Sequence, residues 1–201
     1  MGHPPAALLE RQARRARGPS QRSPGGTMTT TSPLGTVDRA TGSAHLERTL
    51  SASRETVWQA LTDPVRLGAW LAPVERGTPA DGEFVLRMNG AETATCTVTT
   101  WDPPDTFAMT WDYTGEGPSR LRFRLQDTAG GTLLVLDHDR LPVDPVQYGA
   151  GWHVHLDNLG AHLSGVDSTA GGCADPGFLV AYAALEDRYA AIATGAPADA
   201  R

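Results

Sequence analysis

The sequence predicts an α+β domain in which a run of antiparallel strands is followed by helices. Between residues 84 and 138, five consecutive stretches carry apolar side chains at every second position, the period of a half-buried strand. Beyond residue 150 the period changes to that of a helix and does not change back. Strands and helices are therefore segregated, which excludes a βαβ architecture.

The elements follow in order. HLERTL alternates, with Leu46, Arg48 and Leu50 on one face. Ser53 stands where a helix cap is needed, before RETVWQALTD, whose Val57, Trp58 and Leu61 make a short apolar stripe. Asp63-Pro64 restarts the chain into VRLGAWL, a second short helix with Leu67, Trp70 and Leu71. In EFVLRM, Phe84, Leu86 and Met88 share a face; in TCTVTTW, Cys96 and Val98 do so with Thr100. WDPPD is a turn, because tandem prolines cannot donate to a ladder. In TFAMTWDY, Phe107, Met109, Trp111 and Tyr113 share a face. RLRFRL sets Leu121, Phe123 and Leu125 against Arg120, Arg122 and Arg124, the pattern of a sheet with one face solvated. After the turn Ala129-Gly130-Gly131, TLLVLDH places Leu134, Leu136 and His138 together. Trp152, Leu156, Leu159 and Leu163 then recur at helical spacing until Gly165. STAGGCADPG is a loop, and FLVAYAALEDRYAAI is a last helix with Phe178, Tyr182, Leu185 and Tyr189 on one side.

Composition narrows the function. The 201 residues are 40% hydrophobic and 20% charged, a globular balance. No apolar run nears the ~20 residues that span a bilayer. The two cysteines, Cys96 and Cys173, form no CxxC pair, so a reducing cytoplasm is expected, with Cys96 a small buried hydrophobe. Every basic residue is arginine, which excludes Schiff-base catalysis by lysine. With abundant Ala, Gly and Pro, this is the composition of a GC-rich bacterial genome. Residues 1–43 hold six arginines and two acids, whereas 44–201 hold eleven arginines and twenty-one acids. The body should repel nucleic acid. We read 1–43 as a disordered basic extension, with Met28 as an alternative start, 44–192 as the domain, and 193–201 as a disordered tail. Arg14-Arg15 has no apolar signal core after it, so export is not expected.

RTLSASRETVWQALTDPVRLGAWLAP, DGEFVLRMNG, WDPPDTFAMTWDY, GTLLVLDH and GWHVHLDNLGAHLSG, in that order, resemble bacterial proteins related to the C-terminal domain of the heat-shock-protein-90 ATPase activator. These belong to the START-like, polyketide-cyclase-like (SRPBCC) helix-grip superfamily, and the resemblance covers roughly residues 44 to 190. It implies a curved antiparallel sheet of about six strands wrapped around a long C-terminal helix, with an apolar cavity between them. It also implies ligand binding or, in some members, cyclase- or hydrolase-like activity.

The stretch GWHVHLDNLGAHL carries three of the six histidines. At 100° per residue, His153 and His155 point to opposite sides of a helix. His155 and His162 share a face but lie ~10 Å apart, too far for one zinc with ~2 Å bonds. No metal site is expected; His153 and Asp157, at i, i+4, read as a surface pair and the histidines as flanks of a leucine stripe. His138 has the parity of an inward group, and Arg48 lies between two inward leucines. These two are the weak catalytic candidates, as a base and an anion anchor. No GxSxG, HExxH or phosphate loop is present, and no cofactor is expected.

An empty apolar cavity of ~300 Å³ would cost ~7 kcal/mol, comparable to the stability of a whole domain. A small cavity, water or a ligand resolves this. The expected function is binding of a small hydrophobic molecule, without covalent chemistry, by Phe84, Leu86, Met88, Phe107, Met109, Trp111, Phe123, Leu136, His138, Trp152, Leu156 and Leu159. A cyclase- or hydrolase-like enzyme on an aromatic or polyketide-type substrate is the alternative. A chaperone-interacting module is disfavoured, because the 43-residue extension cannot replace the activator's additional domain. Homodimerisation stays open.

Overall fold

The computed structural model describes residues 32–166, 173 and 175–195. Its strands are β1 (Thr36–Asp38), β2 (Ser43–Leu50), β3 (Val74–Thr78), β4 (Glu83–Asn89), β5 (Glu92–Asp102), β6 (Thr106–Tyr113), β7 (Gly117–Thr128) and β8 (Gly131–Asp139). They form one antiparallel sheet in the order β1-β2-β8-β7-β6-β5-β4-β3. Two short helices, α1 (Arg54–Thr62) and α2 (Pro64–Trp70), join β2 to β3; α3 (Pro145–Leu163) and α4 (Pro176–Ile192) follow β8. The helix-grip class holds, with eight strands rather than about six. β1 has three residues and β3 reads VERGT, so neither shows a usable alternation.

Paired backbone lies on both sides of residues 44–192. β1 pairs with β2, and Thr194 hydrogen-bonds to the Val37 carbonyl of β1 (3.1 Å) and to the N–H of Arg39 just after it (2.8 Å). Residues 1–31 of the extension expected at 1–43, residues 196–201 of the tail expected at 193–201, and most of STAGGCADPG lie outside the described residues.

Side chains at the helix starts match the sequence logic. Ser53 caps α1 by accepting from Thr56 N–H, and Asp63 accepts from Val65 and Arg66 N–H at the start of α2. Asp144 and Asp175 cap α3 and α4, each ahead of a proline whose missing N–H costs nothing there.

The sheet grips α3 rather than the last helix. Trp152, Leu156 and Leu159 of α3 are buried in the core, and α4 packs on α3 with Phe178, Tyr182, Leu185 and Tyr189 buried. Gly149 permits that approach, since a Cβ there would meet Val37 Cγ1 at 2.7 Å and Tyr189 Cδ1 at 3.0 Å. One alternation breaks. The β5–β6 register shifts between Val98 and Thr100, so Thr100 is exposed and Trp101, still 41% exposed, lies edge-on against Trp58 and Phe107. A bulge adds one residue and inverts the faces beyond it.

Candidate functional site

His138 is completely buried on the inner face of β8. Trp152 Nε1–H donates to its Nδ1 (2.9 Å) and Ser119 Oγ lies 2.8 Å from its Nε2. Ser119 Oγ–H in turn donates to the Trp111 carbonyl (3.0 Å). The occupied Nδ1 fixes the tautomer with the proton on Nε2, donating to Ser119. Burial pushes the imidazole down to about 3, so it is neutral at ordinary pH. With both nitrogens engaged, His138 has no lone pair for a substrate proton. It positions Trp152.

Arg48 is buried in another polar group. It donates to the Pro33 carbonyl (3.0 Å), the Glu47 carbonyl (2.8 Å) and Asp157 (3.3 Å). His153 joins this group, 3.5 Å from Asp157 and 3.0 Å from the Tyr189 hydroxyl, which accepts from Gly35 N–H at 2.9 Å. The expected His153–Asp157 pair forms with only its acidic end at the surface: α4 covers His153, which is 1% exposed, whereas Asp157 is exposed. Arg48 is registered with Leu134 on β8, four residues from His138, or about 13 Å along the strand. The two candidates sit in separate polar groups.

A cavity of about 70 Å³ opens where β4 and β6 meet the first turns of α3 and the start of α4. Leu71, Met88, Trp111, Tyr113, Trp152, His155, Cys173, Phe178 and Tyr182 form its walls; the less buried Glu116, Gln147, Tyr148 and Gly151 form its mouth. Tyr148 donates to Glu116 (2.7 Å) and Tyr113 to Glu92 (2.9 Å). Burial and the neighbouring Glu92 hold the Glu116 carboxyl above the usual range. Gly151 lines the space, and a Cβ there would meet nothing within 4 Å.

His155 and Cys173 meet in the wall, Sγ to Nε2 at 3.7 Å, with His155 Nδ1 facing the Trp70 carbonyl at 3.3 Å. The placing is that of a thiol and its base, but the electrostatics oppose activation. Burial pushes the thiol up to about 12 and the imidazole down to about 4, so both are neutral and the thiolate is disfavoured. Among the described residues no cluster of three metal-ligating side chains occurs, and no helix is long and apolar enough to cross a membrane.

Of the expected lining residues, Met88, Trp111 and Trp152 face this cavity. Phe84, Leu86, Phe107, Met109 and Phe123 instead converge with Leu61 and Leu67 on a gap of about 10 Å³, so that end is close-packed core. Leu136, His138, Leu156 and Leu159 are buried without lining either space. The reason is steric: α1 and α2 fill the middle of the sheet. Tyr113 could have been added from its shared face with Trp111; Tyr148 and Glu116 carried no signal, since neither belongs to an apolar period.

A profile of the family described as Activator of Hsp90 ATPase homolog 1-like protein matches residues 51–164. Among solved structures, CalU16 from Micromonospora echinospora is 27% identical, with TM-score 0.59 over 75% of this chain and 87% of that one. A protein encoded by gene BPP1335 of Bordetella parapertussis is 27% identical, with TM-score 0.53 over 86% of this chain and 93% of its own. DynU16, from the dynemicin biosynthetic locus, is 23% identical with TM-score 0.56; the match covers 62% of this chain and 48% of DynU16. No curated protein matches the chain.

Proposed function

Because the chain belongs to the Activator of Hsp90 ATPase homolog 1-like family and has a helix-grip fold, we propose that it binds a small, largely apolar molecule in the cavity beside Gly151. The observation that carries this is a space walled by aromatic and aliphatic carbon with a few polar groups at its mouth, the usual make-up of a ligand site.

Energetics set the terms. Left empty, about 70 Å³ costs about 2 kcal/mol at ~24 cal/mol per Å³. Folding therefore does not require a ligand. The space takes a head group of a few heavy atoms, with the rest of the molecule lying along the mouth. Apolar contact alone gives weak binding, because association costs ~4 kcal/mol or more.

Gly151→Leu should fill the space from a position with room for it. Titration of the full chain with 1-hexanol, read by tryptophan fluorescence, should show saturable binding in the wild type that weakens at least ~10-fold in Gly151→Leu, about 1.4 kcal/mol. Equal affinity in a folded Gly151→Leu chain, or no saturable response in the wild type, would overturn the assignment.

A further inference from the structure

We infer that the cavity takes the ammonium head of an organic cation, with Glu116 as its counter-charge and the rings of Trp111, Tyr148 and Trp152 around it. The inference rests on the ligand-binding reading and narrows it.

The charges at the mouth are incomplete. Glu116 lines the cavity, and Glu92 lies behind Tyr113; each accepts from a tyrosine hydroxyl, which lends a proton but no charge. Among the described residues the side-chain partner of each carboxylate is a tyrosine. The chain has no lysine, and the α3–α4 connection, residues 164–175, carries no basic side chain. Burial and the nearby Glu92 make the charged form of Glu116 unfavourable. A cation beside Glu116 relieves this.

The walls suit the same ligand. Trp111 and Trp152 lie with ring centroids 5.5 Å apart, and Tyr148 closes the mouth beside them. Aromatic rings attract ammonium through their negative faces, most strongly when water is excluded. The buried Trp111 Nε1–H is directed toward Tyr148. A metal ion fits poorly, since hard cations want about six oxygen ligands and this wall is mostly carbon.

The test is a three-way titration of the full chain at neutral pH with hexylamine, 1-hexanol and hexanoate, which share a tail and differ in charge. Hexylamine should bind at least ~10-fold more tightly than 1-hexanol, and hexanoate should not saturate. Glu116→Gln should remove the preference for hexylamine over the alcohol. Equal binding of amine and alcohol in the wild type would overturn the cation assignment while leaving the cavity reading standing. Failure of all three ligands would remove both. The wild-type ratio needs no variant, so it decides the matter even if Glu116→Gln does not fold.

Discussion

His138 shows what one residue's parity can and cannot tell. Its place after Leu134 and Leu136 marks it as inward, and the structure buries it completely. Its partners come from β7 and α3 and leave no trace in the local pattern, so catalytic and structural readings looked alike in the sequence. Trp152→Phe removes the donor to Nδ1 and keeps most of the ring. It should destabilise the fold by about 1–3 kcal/mol in chemical denaturation, the cost of an unpaired buried acceptor. The same histidines give the protein an acid limit. His138 and His155 titrate at about 3 and about 4 when folded, against 6.5 ordinarily. Below 6.5 the unfolded chain takes up protons that the folded chain refuses, so stability falls as pH falls. Between pH 7 and pH 5 each should cost about 2 kcal/mol, visible as a lower urea midpoint at pH 5.

At the scale of elements, α3 carries two glycines of opposite meaning. A methyl at Gly149 runs into Val37 and Tyr189, whereas one at Gly151 meets nothing. Gly149→Ala should therefore lower the thermal midpoint. Gly151→Ala should raise stability by about 1 kcal/mol, because Ala costs less backbone entropy in a helix. The strong periods of β4, β6, β7, β8 and α3 were legible because each buries one face. β1 and β3 were not, being too short or too polar to alternate. The bulge in β5 was hidden too, since Thr100 continues the alternation on paper and Trp101 breaks it only once β6 is in register.

For the whole molecule, the gripping sheet and its helix were legible, and the place of the cavity was not. Twelve inward residues were expected to share one space. The short helices fill most of it, and what is left lies at one end, around Trp111, Trp152 and Gly151. Its polar mouth depends on Glu116, from the β6–β7 turn, meeting Tyr148 of α3 across a contact of low sequence visibility. The five tryptophans make this geometry directly measurable. Trp111 and Trp152 line the cavity, whereas the Trp70 indole N–H is tied to the Ala60 carbonyl at 2.8 Å, outside it. A ¹H–¹⁵N titration of the full chain with 1-hexanol should move the Trp111 and Trp152 indole signals saturably and leave those of Trp58, Trp70 and Trp101 in place. Unmoved Trp111 and Trp152 signals, or equal shifts at all five, would contradict the assignment of this cavity as the binding site.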